Sequence, residues 1–435
     1  MTRDPRPDPT AVTTRQLEAL RGLVGELVAG NRFYGPRLEA AGLADGVDSL
    51  EQFTTALPPT HKQELVDDQA RHPPFGTNLT YSLAHYVRYH QTSGTTGRPL
   101  RWLDTRDSWQ VLLETWGRVF AAAGIGADDR VFFPFSFGPF LGFWTAFDAA
   151  QQLGALAIPG GGMNSKARLE VLLAAEATAV CCTPTYALRL AEVAVEEGID
   201  LGPSQVRAVL VAGEPGGSVP AVRDRIARSW PGATVFDHHG MTEVGPVSYP
   251  NPRWPELLHI DESSFLAEVV DPESGKAVAA GEEGELLLTT LRRTGSPLLR
   301  YRTGDLVRWS PRTPAETGFE HRALDGGILA RVDDMVVVRG VNLYPSAVDR
   351  VVRGLPEVAE YRVTLDRRSS MAEVSLEIEP SPIAGVSDDD LARRLQEALR
   401  TSFQLRVPVR TVAPGTLPRF ELKAKRWVAK AGGEG

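Results

Sequence analysis

The segment "HQTSGTTGRPL", His90 to Leu100, is built from residues for which an apolar core has little use. Thr92, Ser93, Gly94, Thr95, Thr96 and Gly97 offer hydroxyls and unobstructed backbone amides, and Arg98 adds a positive charge. Such a concavity suits the phosphates of a nucleotide. It is neither a G-x-x-x-x-G-K-[ST] loop, since no Gly-Lys-Ser/Thr follows, nor G-x-G-x-x-G. Further islands share its chemistry. "HHGMTEVGP" (238–246) combines the imidazoles of His238 and His239 with the Thr242 hydroxyl and the Glu243 carboxylate. "YRTGDLV" (301–307) sets Asp305 behind a glycine, where a carboxylate can accept two hydrogen bonds from vicinal ribose hydroxyls. "ARVDDMVVVRGVNLYP" (330–345) marks a change of texture, and "LPRFELKAKRW" (417–427) carries a basic run. Any one of the five reads readily as a turn, a capping acid, a linker or a solvated charge run. All five in this order do not.

The elements that must position these residues are legible from periodicity. "TTRQLEALRGLVGELVAGN" repeats Leu17, Leu20, Val24 and Leu27 at helical spacing and ends at Gly30. From about Asp129, short apolar runs ("RVFFPF", "TAVCCTPT", "VRAVLVAGEP") alternate with helical patterns. That alternation implies crossover units and a largely parallel sheet. "FLAEVVDPESGKAVAAGEEGELLLTTL" reads instead as two antiparallel strands around a turn at Asp271–Gly275, and "WSPRTPAETG" (309–318) as a surface excursion. Beyond Asp334 the strands "MVVVRG", "EYRVTLD" and "AEVSLEIEP" mix with the helices "YPSAVDRVVRGL" and "SDDDLARRLQEALRTSF". The second helix has Ser387 as N-cap and three aspartates at its positive end. The expected fold is α/β, with a large N-terminal domain of mixed sheets and helices over 1–332 and a small α+β domain over 333–435.

Composition narrows the classes. The 435 residues carry 47 Lys plus Arg against 55 Asp plus Glu, a net charge of −8, which speaks against a general nucleic-acid binder. The N-terminus "MTRDPRPDPT" has no apolar h-region and no 18-residue apolar run occurs, so no membrane partner is expected. Cys181 and Cys182 are adjacent, point to opposite faces of a strand, and read as reduced core residues of a cytoplasmic protein.

The ordered motifs resemble the adenylate-forming superfamily of acyl- and aryl-CoA ligases, luciferases and peptide-synthetase adenylation domains. Within it the chain is most similar to the phenylacetate–CoA ligase branch. That likeness rests on "NRFYGPRLEAAG", "LPPTHKQELVDDQARHPPFG", "VAGEPGG", "LHIDESSF", "LRYRTGDL" and "RVDDMVVVRGVNLYP", and covers nearly the whole chain. The resemblance implies ATP, Mg²⁺ and CoA as reactants and cofactor. It implies that Thr92–Gly97 wraps the β- and γ-phosphates with Thr96 and Arg98 in direct contact, and that Gly213, Glu214 and Pro215 border adenine. Thr242 would touch the α-phosphate, Glu243 would help hold Mg²⁺, Asp305 would take the ribose hydroxyls, and Arg331 would approach the ribose or phosphate. Asp333 matches the hinge of a mobile C-terminal domain, and Arg339, Gly340, Val341 and Asn342 match the acceptor channel. Lys423 falls at the catalytic lysine, three residues before Arg426. There it would bridge the attacking carboxylate and the phosphoryl oxygens.

The chain departs from that pattern twice. Leu422 replaces the usual glycine before the lysine, and His239 replaces the usual tyrosine before Gly240. His239 can stack on adenine or bond the substrate, or serve as a satisfied structural histidine. Lys425 is a second candidate lysine with the wrong spacing to Arg426. In this branch the acid pocket is lined partly by "VFFPFSFGPFLGFW" (131–144); Phe137, Gly138 and Phe140 are the expected walls, with Gly161 of the "PGGG" turn. His238, His239 or Ser136 could bond a ring substituent. A small aromatic acid fits this surface better than a long fatty acid. The leading reading is an aryl-acid–CoA ligase. One alternative passes the aryl group to an amine, hydroxyl or carrier-protein thiol; another is a non-catalytic nucleotide-binding regulator, for which Lys423 would be superfluous. The sequence leaves open whether the chain works alone or as a homodimer.

Overall fold

The computed structural model describes residues 9–92, 99–339, 341–366, 372–381, 385–420 and 424–430. Five strands, Arg130–Phe133, Leu156–Pro159, Ala179–Cys182, Ala208–Ala212 and Thr234–His238, form one all-parallel sheet. The second of these is its outer edge beside the first, and the last is the opposite edge. Alternation along the strands feeds two cores. Val131, Phe133, Ala179, Cys181, Ala208, Leu210 and Phe236 face one side, where helix Arg106–Ala122 packs with Trp109, Trp116 and Phe120. Phe132, Val180, Cys182, Val209, Val211 and Val235 face the other, under helices Ser165–Ala174, Pro184–Glu196 and Pro220–Ser229. Burial on both faces is why these strands read as continuous apolar runs. Cys181 and Cys182 are free and buried on opposite faces, and burial pushes both thiols up.

Around this sheet lie the other layers. Helix Pro9–Gly30 seats Leu20, Leu23, Val24 and Leu27 against Tyr34, Leu38 and Phe53 and against Leu266, Leu291 and Leu299. Strands Phe265–Val270, Glu283–Thr290, Tyr301–Arg308 and Ala330–Arg331 form an antiparallel sheet, and its register sets Asp305 directly opposite Arg331. The excursion at 309–318 holds a short helix, Pro314–Thr317, with a Thr313/Glu316 capping box.

C-terminal to these elements the chain builds a separate core. Strands Val358–Asp366 and Glu373–Pro380 pair antiparallel, flanked in parallel by Trp427–Ala429 and Val409–Thr411. Helices Pro345–Arg353 and Asp388–Phe403 cover that sheet with Val348, Val352, Leu391, Leu395 and Leu399. Ser387 accepts the Asp390 amide, as its position before three aspartates implies. The expected α/β class with a second, smaller α+β unit is what the chain adopts. Among the described residues, no helix is long and apolar enough to cross a membrane.

The cores bury histidines that resist protonation. Burial pushes His90 down to about 4, His238 to about 3 and His259 to about 4, and lowers His321. An unfolded histidine titrates near 6.5, so below that pH the unfolded chain binds protons the folded chain refuses. Each group then removes up to about 1.4 kcal/mol of stability per pH unit as pH falls toward its folded value. Asp237 runs the other way. Burial raises it to about 6, so the folded state protonates first and cancels roughly one histidine between about pH 6 and 4. The expected outcome is a urea midpoint that falls steadily from pH 6.5 to pH 4.5. A midpoint constant over that window would contradict these shifts.

Candidate active site

The chemistry-bearing segments meet at the C-terminal edge of the parallel sheet, where open α/β sheets bind ligands. Strand Tyr86–Gln91 pairs with Arg101–Thr105, and below the loop the neck is closed by Thr92. Its amide donates to the Leu100 carbonyl (2.9 Å) and its hydroxyl accepts the Leu100 amide (3.0 Å). Thr92 is buried, and its hydroxyl serves the neck. Ser93 to Arg98 lie outside the described residues. The Gln91 amide donates to the Pro139 carbonyl (2.5 Å), joining this neck to the aromatic loop of the expected acid pocket.

Strand Thr234–His238 runs straight into the second island. The His239 amide donates to Ser248 Oγ (2.9 Å) and its ring Nε2 lies 2.9 Å from Asp305 Oδ2. Arg331 NH1 donates to the other oxygen of Asp305 (2.8 Å) and to the Thr303 carbonyl (2.9 Å), while its Nε reaches Asp333 at 3.0 Å. Burial works against a charged Asp305, but the contacts with His239 and Arg331 outweigh it and hold the carboxyl below its usual range. An ionised acceptor with two oxygens and spare lone pairs remains suited to a pair of ribose hydroxyls. His239 Nδ1 is buried with no partner among the described residues. The substitution of histidine for tyrosine thus places a ring that props the Asp305 carboxylate.

Thr242 and Glu243 sit at the far end of the same segment. Glu243 is 6% exposed, and its Oε1 lies 3.0 Å from Lys62 Nζ and 3.5 Å from the Tyr301 hydroxyl. Beneath it, Arg293 donates to the Glu243 carbonyl (2.6 Å) and forms a two-pronged pair with Asp104 at 2.6 and 2.7 Å, all fully buried. Among the described residues no cluster of three or more His, Cys, Asp or Glu could hold a metal by itself. One buried carboxylate is the donor set expected where Mg²⁺ is bound jointly with substrate phosphates, so the residues present fit that ion only together with a nucleotide.

Sequence reasoning missed Lys62, Tyr301, Arg293 and Asp104. Lys62 opens helix Lys62–Arg71 inside "LPPTHKQELVDD", and its ammonium pairs with the Glu243 carboxylate. A half-exposed lysine against a buried carboxylate is a countercharge ready for phosphate oxygens. Lys62→Ala is expected to raise KM for ATP about tenfold, the scale of one lost charge-assisted contact. Steady-state kinetics with varied ATP check this.

The expected pocket residues separate by burial. Phe135 and Phe143 are packed into the core, whereas Phe137, Phe140 and Trp144 are only partly covered. Phe137 stands 4.5 Å from Trp144 and 5.3 Å from Phe135 between ring centres. A Cβ on Gly138 would come within 2.8 Å of the Phe140 ring, and one on Gly161 within 3.3 Å of the Phe135 carbonyl. Arg168 ties the two walls together, donating to the Gly160 carbonyl (2.9 Å) and to Ser136 Oγ (3.2 Å). His238 is buried 4.4 Å from the Trp116 ring, and its Nδ1 lies 2.7 Å from the Ser248 carbonyl; burial keeps it neutral.

The small unit contributes the rest. Arg339 and Val341–Leu343 belong to a hairpin with Val336–Val338; Arg339 pairs with Glu373, and Asn342 is exposed. Gly340 and Lys423 lie outside the described residues. Arg426 is well placed: Nε meets Glu360 Oε1 at 2.6 Å and NH2 meets Oε2 at 3.1 Å. On the large unit, Gly213 has φ +93°, Pro215 is exposed, and Glu214 accepts the Thr185 amide (2.8 Å) and the Ala424 amide (3.2 Å).

With this geometry in hand the likenesses are specific. The AMP-binding enzyme profile matches residues 82–291, and the AMP-binding enzyme C-terminal domain profile matches 340–430. The phenylacetate–coenzyme A ligase of Thermus thermophilus is 30% identical over 426 residues, 93% of this chain and 93% of that protein. A 2-hydroxyisobutyryl-CoA ligase in the postadenylation state, in complex with 2-HIB-AMP, superposes with a TM-score of 0.88 at 29% identity, covering 98% of this chain and 91% of that one. The same ligase with 2-HIB-AMP and CoA in the thioesterification state gives 0.69 at 30% identity, over 97% of this chain and 90% of that one. Since coverage is nearly equal, the two scores differ through how the parts are arranged, and the arrangement here is nearer the postadenylation one.

Proposed function

Because this chain belongs to the AMP-binding enzymes, in their phenylacetate–coenzyme A ligase branch, and is an AMP-forming acid–CoA ligase, we propose that the acid it activates is aromatic. The observation that carries this reading is the set of partly exposed rings, Phe137, Phe140 and Trp144, beside Gly138 and Gly161 at the sheet's C-terminal edge. Flat walls with glycines between them accept a ring face to face or edge on. His238, buried neutral at one side, offers shape and polarity without charge.

In the reaction, an oxygen of the acid's carboxylate attacks the α-phosphorus of ATP, and the bond to pyrophosphate breaks. The CoA thiol then attacks the acyl carbonyl and AMP departs. Both partners of the first step are anions, so the protein's task is positioning and neutralisation. Ser93–Gly97 with Arg98 cradles the β- and γ-phosphates above the neck that Thr92 closes, assisted by Lys62. Gly213, Glu214 and Pro215 border adenine, Asp305 and Arg331 fix the ribose, and Thr242 contacts the α-phosphate. Mg²⁺, held by Glu243 together with phosphate oxygens, would supply charge neutralisation to departing pyrophosphate. Lys423 bridges the two reacting groups. Rotation of the unit beyond the 332/333 boundary about Asp333 then withdraws Lys423 and brings Arg339, Gly340, Val341 and Asn342 to the acceptor channel.

The test is pyrophosphate release with ATP and Mg²⁺ across phenylacetic, benzoic, hydroxybenzoic and aminobenzoic acids and 2-hydroxyisobutyric acid, each with and without CoA, with products identified by mass. Turnover of an aromatic acid to its CoA thioester is the expected result. Turnover confined to the short hydroxy acid would overturn the aromatic assignment.

A further inference from the structure

Glu214 lies in the turn after strand Ala208–Ala212 and is partly buried. One oxygen accepts the amide of Thr185, the second residue of helix Pro184–Glu196, where the helix end favours a negative charge. That bond fixes the carboxylate and aims its second oxygen at the Ala424 amide. The residue before Ala424 is Lys423, and two residues on, Arg426 is clamped to Glu360 of the small unit's sheet. Other contacts join the two units: Arg225 donates to the Val358 carbonyl (2.8 Å), and Arg419 lies 3.7 Å from Glu192. They grip the body of the small unit. Among the described residues, only Glu214 reaches from the large unit to hydrogen-bond the stretch 424–426.

We infer that Glu214 is a positioning residue for adenylation alone: its carboxylate seats the lysine loop through the Ala424 amide, and the thioester step begins when that bond is given up. This deepens the proposed reading of Lys423 and rests on it. The arrangement in which the bond exists is the one nearer the postadenylation state. A charged acceptor held rigid by a helix end suits such a seat. It costs no side-chain ordering when the loop arrives, and when the loop leaves it stays satisfied by Thr185.

Glu214→Gln is expected to speed amide hydrogen exchange across 424–430. It should lower acid-dependent pyrophosphate release at saturating ATP by on the order of tenfold, the scale of a weakened charge-assisted bond. Any rise in KM for ATP should be smaller than the fall in kcat, since the Glu214 carboxylate is turned to the Thr185 and Ala424 amides. CoA thioester formation from the adenylate of the same acid, supplied directly, should keep its rate. Ala424→Pro, which removes the donor without touching the large unit's core, should give the same split and should not add to Glu214→Gln in the double variant. Unchanged exchange, equal losses in both half-reactions, or a raised KM for ATP with unchanged kcat would each overturn the assignment. A wild-type enzyme that releases no pyrophosphate with any acid faults the proposed substrate instead, and hydrogen exchange still judges Glu214.

Discussion

Lys423→Ala is expected to lower acid-dependent pyrophosphate release by about 10²–10³-fold, the usual loss when one preorganised charge is removed from a developing transition state. Nucleotide binding should survive, because the ribose and phosphate contacts are proposed for Asp305, Arg331, Lys62 and the glycine-rich segment, not for Lys423. CoA attack on a supplied acyl-adenylate should survive as well, since no anion–anion approach remains to be neutralised in that step. Lys425→Ala is the control. Lys425 is exposed and its spacing to Arg426 is off by two, whereas Lys423 stands three residues before Arg426, whose two-pronged pair with Glu360 fixes the chain there. Loss in the Lys425 variant with normal turnover in Lys423→Ala would reverse the assignment. Full turnover in both would leave the neutralising role to Lys62 and Arg98. Retained nucleotide binding with lost turnover would also dispose of a purely regulatory role.

What the sequence disclosed and what it hid follow from range. Short-range signals were readable: the alternation of strands and helices, the Ser387 cap, the turn at Asp271–Gly275, and the reduced cysteines on opposite faces. So was the order of motifs along the chain, because each is a local string. The division of the aromatic run into packed Phe135 and Phe143 against partly open Phe137 and Phe140 depends on how the loop between strand Arg130–Phe133 and helix Trp144–Leu153 folds back on the core, which no local string discloses. Pairings across the fold were invisible. Nothing in "LPPTHKQELVDD" says that Lys62 ends 3.0 Å from Glu243. Nothing around Asp104 announces Arg293, and His239 could not be assigned to Asp305 without the antiparallel register that brings Asp305 opposite Arg331. An excess of buried charge without a local partner is the one signal available, and it names residues without pairing them.

Arg293 shows how much of the site rests on such a pair. Its guanidinium is 2% exposed and meets an Asp104 carboxylate that is 0% exposed. Arg293→Met should therefore strand a buried anion and cost about 3–5 kcal/mol. Against a typical total of about 5–15 kcal/mol, urea denaturation would show a large fall in midpoint. Removing both charges in Arg293→Met/Asp104→Leu should recover most of that loss, because replacing a buried pair by apolar residues of similar volume is often neutral. Activity should not recover with it. Arg293 also holds the Glu243 carbonyl at 2.6 Å, and the double variant lacks that donor. The Thr242–Glu243 turn, proposed to meet the α-phosphate and Mg²⁺, would then lose its fixed place, and displacements of about 1 Å can cost on the order of 10²-fold in rate. A double variant that is stable and still slow assigns Arg293 to positioning as well as to folding. A double variant that regains full turnover would show that the pair serves stability alone, and that the turn is held by Lys62 and Tyr301 through the Glu243 side chain.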